Sequence, residues 1–350
     1  MREVKEGKVR ILSYTKEVPS KDMPVFYNPK KELDRTLCVL FLKSLNGHEK
    51  FVVCDLLAAS GVRGIRIKKE VGVKKVVLND LNPNAVKLME RNAKLNGVEV
   101  EIRNEEGNKF LYNYEGRFDY IDIDPFGSPV PFLEAAIRKL RNKGFLGLTA
   151  TDTAPLSGTY PNTCLRRYGS MCFRTDFKHE IGLRILMKKV IKKGAEQDVA
   201  LVPLFAYYSG DYYRAYFQKV SGARRADELL EKVRSLFYDG KTLERGFWEG
   251  KGRILGPLWC GNLTSEVVRK MYERSKMGLL RTLLEEDEVG VPWHYDLHAT
   301  CKLLKRSVPK LGKVLKKLRE KGFKASRTHF NPMGIKTDAN IEEVKKVISP

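Results

Sequence analysis

The chain has 350 residues, with 65 Lys and Arg against 43 Asp and Glu, a formal net charge of +22. That length predicts two domains, each able to bury its own core, and 42% hydrophobic residues exclude a disordered or fibrous chain. The charged start MREVKEGKVR reads against a secretory signal, and no apolar run nears the ~20 residues that cross a bilayer, so a cytoplasmic protein is expected.

From about residue 50, short apolar runs alternate with longer amphipathic stretches. Residues 51–57 (FVVCDLL) are predicted as a buried strand, and 58–64 (AASGVRG) as a small-residue turn. Residues 76–78 are a second strand, 82–96 a helix with Pro83 in its first turn, and 98–103 a third strand. Residues 118–123 form a fourth strand that Asp124-Pro125 ends. A helix over 131–140 and a fifth strand over 145–150 follow. Residues 198–208 and 211–220 are β-rich runs split by Ser209-Gly210, a hairpin signal. This order predicts a mostly parallel three-layer α/β sheet closed by an antiparallel hairpin.

At 221–227 the strand pattern stops and charges crowd in, which sets the expected domains at 1–221 and 222–350. The second half holds a helical stretch over 265–287, helices over 295–304 and 307–321, and a β-like run over 323–330. Helix, turn, basic helix and strand resemble a helix-turn-helix with a wing. Residues 302–324 carry ten Lys or Arg and one acid, Glu320. A solvated face is the ordinary reading of such a run, but the acids that would balance it are missing, which favours phosphate contact. The overall charge likewise points to a polyanion, nucleic acid rather than membrane.

Three segments carry chemistry. The first strand holds Asp55 near its end and runs into the 58–64 turn, where small residues let backbone approach a ligand at the sheet's carboxyl edge. Asp80, 25 residues on, ends the second strand where an acid grips ribose hydroxyls. That spacing suits any nucleoside cofactor. The absence of G-x-G-x-x-G favours S-adenosylmethionine over a nicotinamide. Arg63 and Arg35 are guanidinium candidates for a methionine carboxylate or, equally, for salt bridges.

The most informative segment is Asp124-Pro125-Phe126. An acid, a proline and an aromatic in succession resemble the (Asp/Asn/Ser)-Pro-Pro-aromatic motif of enzymes that methylate exocyclic amines. A nucleobase amine is a poor nucleophile, and a carboxylate accepting its N–H removes a proton as the methyl arrives. Pro125 shapes the turn, Phe126 offers a face for the base, and Phe26 is the candidate for the second face. An Asp that merely initiates a turn before Pro is the plain alternative.

The six cysteines show no C-x-x-C spacing. Cys164 and Cys172 keep open a rival route, attack of a thiolate on a pyrimidine ring carbon, although both also suit buried positions. His294, His298 and Cys301 share one face if their segment is helical, so a metal site is open there beside the commoner core reading.

The chain as a whole resembles the tRNA guanine-2-amino dimethyltransferase family in its archaeal form. The resemblance runs through Phe26-Tyr27-Asn28-Pro29, Asp34-Arg35, ASGVRGIR (59–66), Asn79-Asp80, DIDPFGSPVP (122–131), TATDT (149–153), GPLW (256–259) and ASRTHFNPMGIKTD (325–338). It implies a class I methyltransferase domain with a smaller α+β RNA-binding domain, and one then two methyls placed on guanosine 26 of tRNA. Arg35, Arg63 and Asp80 would then hold S-adenosylmethionine. Glu106 and Gly107 stand where the family usually shows Asp-Ala against the adenine. Asp124 would be the base, with Phe26, Phe126 and Pro125 around the guanine. Arg327, Thr328 and His329 would touch tRNA together with Lys313, Lys316 and Lys317 of the basic run. Many relatives carry a four-cysteine zinc site before GPLW. Here 236–255 lacks cysteine and Cys260 stands alone, so no metal is expected. The expected partner is tRNA, without DNA or membrane, and the expected state a monomer. A catalytically silent RNA-binding protein and a methyltransferase of another base amine are the alternatives.

Overall fold

The computed structural model describes residues 1–14, 23–250 and 252–349. Residues 15–22, 251 and 350 fall in the expected domain ranges but outside the described residues.

An N-terminal hairpin, β1 (Arg2–Glu6) and β2 (Val9–Ser13), precedes helix α1 (Glu32–Lys43). The alternation that follows is β3 (Val52–Asp55), α2 (Val62–Arg66), β4 (Lys75–Asn79), α3 (Pro83–Asn96), β5 (Glu101–Arg103), α4 (Gly107–Asn113), β6 (Phe118–Ile123), α5 (Leu133–Lys139) and β7 (Leu140–Ala150). Two short helices, α6 (Thr153–Leu156) and α7 (Pro161–Tyr168), and the long α8 (Lys178–Ala195) lead to β8 (Val199–Ser209) and β9 (Tyr212–Ser221). The seven-stranded sheet has the order β5-β4-β3-β6-β7-β9-β8, with β3, β4, β5, β6 and β7 pairing in parallel. Strand order reverses between β3 and β6, and at such a switch point the crevice beyond the strands' carboxyl ends takes ligands.

Local chemistry explains the boundaries. Asn82 caps α3 by accepting from Asn84 N–H at 2.9 Å, and Pro83 occupies the first turn, where its missing N–H costs nothing. Gly64 lies so close to β4 that a Cβ there would come within 2.2 Å of Leu78 Cδ2, so a larger residue would have to push that side chain aside for α2 to lie against the sheet.

The later elements are α9 (Ala223–Leu230), an antiparallel sheet β11-β10-β12 built from β10 (Val233–Tyr238), β11 (Arg245–Phe247) and β12 (Ile254–Trp259), then α10 (Glu266–Ser275) and α11 (Gly278–Val289). After them come β13 (Tyr295–Asp296), α12 (Leu297–Leu304), α13 (Leu311–Glu320), β14 (Ala325–Arg327), β15 (Gly334–Thr337) and α14 (Ile341–Ile348). The order helix, strand, helix, helix, strand, strand, with sheet order β13-β15-β14, gives the expected winged pattern. Two details differ from expectation. The 265–287 stretch is two helices because Lys276 adopts a left-handed conformation (φ 53°). Residues 295–296 are strand, and Asp296 then caps α12 through His298 N–H at 2.7 Å.

By their contacts the residues group into two compact units, 1–149 with 216–221, and 150–215 with 222–350. The single cut expected at 221 therefore becomes three. The helices and strand over 150–215 pack on one another and on the later residues, as when α8 meets β8 and β12. No described helix is long and apolar enough to cross a membrane.

Candidate active site

The site grows from one short turn. Asn28 caps the turn Pro29–Lys31 by accepting from Lys30 N–H at 2.9 Å, which aims Lys31 inward at the mouth of α1. Lys31 Nζ stands 2.5 Å from Asp124 Oδ1, and Arg63 Nη2 donates to Asp124 Oδ2 at 2.8 Å. Arg63 also donates to Asp34 Oδ2 at 2.6 Å, and its Nε lies 3.3 Å from Asp122 Oδ1. The arginine is 4% exposed, and Asp34 and Asp122 are fully buried. Only the Asp124 end of this chain of charges meets solvent, with 15% of its side chain exposed. Pairing an ionised carboxylate with two cations offsets the cost of removing it from water and holds its orientation.

Asp122 is set in turn from behind, because Tyr120 Oη donates to its Oδ2 in a short hydrogen bond. Asp55, opposite Asp122 on the adjacent strand β3, accepts from Gly64 N–H at 3.2 Å. Burial, with the nearby Asp122 and Asp124, pushes its carboxyl up to about 7 against the opposing pull of Arg63. Asp55 thus fastens the 58–64 turn to the sheet and is 2% exposed.

The turn itself has left-handed Ala59 (φ 47°) and Gly61 (φ 76°). Asp80 organises it: Oδ2 accepts from Ala59 N–H at 2.8 Å and Oδ1 from Asn82 N–H at 2.9 Å. Asp80 stays partly exposed just beyond β4, as an acid reaching ribose hydroxyls must. Gly107 is buried at the start of α4, where a Cβ would press Phe132 at 3.1 Å.

Other expected residues are placed differently. Arg35 is 5% exposed. Its Nε and Nη2 clamp Glu6 at 2.7 and 2.6 Å, and Nη2 also donates to Asn28 O at 3.1 Å, so it ties the N-terminal hairpin to α1. Burial would raise the Glu6 carboxyl, but Arg35 and Arg66 outweigh it and hold Glu6 below the usual range. Both oxygens of Glu106 cap α4, accepting from Asn108 and Lys109 N–H at 3.1 and 2.8 Å. Phe26 and Phe126 do come together, yet edge to face (4.6 Å, 78°) and not as parallel slabs, so a base enters between them only if the rings part. Phe126 is 57% exposed and Pro125 buried.

Among the expected tRNA contacts, Lys313, Lys316 and Lys317 lie on the solvent face of α13, opposite buried Leu311, Val314, Leu315 and Leu318. Arg327 is exposed as well. Thr328 and His329 correct the expectation. Thr328 is 5% exposed, and the His329 side chain 3%. His329 Nε2 accepts from Tyr208 N–H at 3.1 Å, so Nδ1 carries the proton that goes to Glu286 at 2.7 Å. Its polarity serves a buried pair. His294 is likewise 1% exposed with Nδ1 2.8 Å from Glu180, while His298 is exposed, so the two do not converge with Cys301. Among the described residues no cluster of His, Cys, Asp or Glu is placed to hold a metal ion. Cys164 and Cys172 are both buried and hydrogen-bonded to each other, and that bond, with burial, raises the Cys172 thiol while the bond lowers that of Cys164.

A family model described as N2,N2-dimethylguanosine tRNA methyltransferase matches residues 7–349. The chain belongs to this family. It is 38% identical over 378 residues to the tRNA (guanine(26)-N(2))-dimethyltransferase of Pyrococcus horikoshii, covering 99% of this chain and 98% of that one. It is 42% identical over 328 residues to the enzyme of the same name from Pyrobaculum arsenaticum, covering 93% and 91%. The solved structure of Trm1 from Pyrococcus horikoshii with S-adenosyl-L-methionine superposes with a TM-score of 0.91 at 35% identity over the full length of both chains. Within the dimethyltransferase family, sequence reading singled out Asp124, Arg63 and Asp80 but missed Lys31, Asp34 and Asp122. Lys31 stands in a plain Asn-Pro-Lys-Lys run, and nothing local distinguishes it from its neighbour Lys30.

Proposed function

We propose that this chain transfers methyl groups from S-adenosyl-L-methionine to the exocyclic 2-amino group of guanosine 26 in tRNA, first one and then a second. The observation that carries this reading is Asp124, held between Lys31 and Arg63 at the carboxyl end of β6 beside two aromatic rings, in a member of this family. When bound, the sulfonium cofactor supplies an electrophilic methyl group. The residues present suit it: Asp80 for ribose hydroxyls, and the backbone of the 58–61 turn and Gly107 for close approach. Arg63 braces Asp124 through Nη2, which also meets Asp34, while its Nε lies beside Asp122.

Asp124 accepts the amine N–H and takes its proton as nitrogen becomes cationic. Phe126 and Phe26 stack the flipped base, and Lys31 and Arg63 keep the carboxylate aimed. We place the protein in the cytoplasm as a monomer acting on tRNA and not on DNA. The reading is tested by incubating it with a tRNA transcript and the cofactor, then analysing nucleosides by mass spectrometry. Mono- and dimethylguanosine at position 26 are expected. Label confined to adenosine, or none, overturns it.

Lys31→Met removes one of the two cations beside the base, which raises the carboxyl's pKa. The acidic limb of the pH profile of kcat/KM should move up by about one unit, and Lys31→Arg should restore it. Superimposable profiles would show that Lys31 does not touch the working base. Converting Lys313, Lys316 and Lys317 to Gln should weaken tRNA binding and make the slope of log K against log salt shallower by about 2–3. An unchanged slope would mean that this helix faces solvent in the complex.

A further inference from the structure

The sheet β11-β10-β12 and the β8 run border an open cavity of about 610 Å³ that plays no part in the site above. One wall is a layered stack. Trp293 meets Phe247 edge to face at 5.5 Å, and the Arg234 guanidinium lies over the Phe247 ring at 3.7 Å. Lys232 stands two residues from Arg234 on the same rim, and both are exposed. Neither has an acidic partner among the described residues, and Glu231 is the one acid in the lining. The floor is firm: Trp259 Nε1 donates to Asn262 O at 2.9 Å, and buried Arg184 donates to the Trp259 and Gly261 carbonyls at 3.1 and 2.8 Å.

A flat guanidinium backed by a ring offers a π-face to a nucleobase, and an unpaired lysine beside it offers charge to a phosphate. A hydrophobic ligand would leave both cations desolvated without anions, which is costly. We infer that this cavity holds an unpaired nucleotide of the bound tRNA other than the methylated guanosine, with its base against Arg234 and its phosphate toward Lys232. The inference rests on the tRNA reading above. It adds a second point of grip that reads single-stranded character, where α13 offers only charge.

The test measures tRNA affinity for the intact protein and for Lys232→Gln/Arg234→Gln, both on exposed side chains whose loss leaves the thermal midpoint in place. Wild-type binding and methylation of the transcript come first, so that failure of the functional reading is seen separately. The double variant should bind tRNA about 5- to 100-fold more weakly, the range lost with one stacked base and its phosphate contact. Cys260, on the lining and only partly buried, gives an independent local readout. Its alkylation by iodoacetamide, followed by peptide mass spectrometry, should slow when tRNA is bound to the wild type and not when it is added to the double variant. Equal affinities, or a Cys260 that saturating tRNA leaves as reactive as before, overturn the inference. So does protection by adenosine monophosphate without protection by tRNA, which would make this a free-nucleotide site.

Discussion

Methyl transfer should fall by about 10²- to 10⁴-fold when Asp124 is replaced by Ala or Asn, the contribution typical of a general base. Asn keeps the shape and one acceptor but has no negative charge to take the proton of a cationic nitrogen, so both variants should be equally impaired. Cofactor affinity, read by calorimetry, should stay nearly unchanged, because the cofactor residues proposed above, Asp80 and the 58–61 turn, do not contact Asp124. The fold should tolerate the change as well. Arg63 retains Asp34 at 2.6 Å and Asp122 at 3.3 Å, and Lys31 lies near solvent with 10% of its side chain exposed. Turnover by Asp124→Asn at wild-type rate would remove the carboxylate from the chemistry. Loss of cofactor binding along with turnover would make Asp124 a scaffold residue.

Glu180→Ala should cost about 3–5 kcal/mol of stability, the usual penalty for stripping the anion from a buried ionic cluster. Glu180, on α8, is fully buried and accepts from Arg184 Nε at 3.0 Å and His294 Nδ1 at 2.8 Å, and Lys336 Nζ closes on it in a short ion pair. Removing it leaves an arginine and a lysine together, each 2% exposed or less, without the carboxylate that directly pairs both, since Glu286 and Asp287 act on them only through space. Burial alone would raise the Glu180 carboxyl, but Lys336, Arg184 and His294 hold it well below the usual range. A carboxyl depressed in the folded state contributes stability above its unfolded value near 4.5, and that contribution is lost as pH falls through the folded value. Urea midpoints of wild type and Glu180→Gln should therefore differ widely at pH 7 and converge in strong acid. Equal midpoints at pH 7 would show that the cluster is neutral overall in its effect.

Residue type at sheet edges carried most of what was legible in advance. Strands β3, β4 and β6 each bring an acid to or just past their carboxyl ends, and that local position locates Asp55, Asp80 and Asp124 whatever the rest of the chain does. Polar residues outside such a frame were ambiguous. Arg35 and Arg63 look alike in sequence, and their partners, Glu6 and the Asp34-Asp122-Asp124 group, come from segments up to 61 residues away. His329 looks like a surface contact until the fold sets it between Tyr208 and Glu286, 121 and 43 residues distant.

Taken alone, the order of apolar runs, caps and turn residues determined the parallel sheet with its closing hairpin and the winged pattern near the end, because these depend on periodicity and on hydrogen bonds between near neighbours, whereas the strand order and its switch point came only with long-range pairing. Folding decided which charges face substrate and which brace other charges. A guanidinium reads the same in sequence whether it meets solvent or a buried carboxylate, and only long-range packing brings that carboxylate to it. In this protein Lys31 meets Asp124 for that reason, and Arg35 and His329 each meet a buried carboxylate, Glu6 and Glu286.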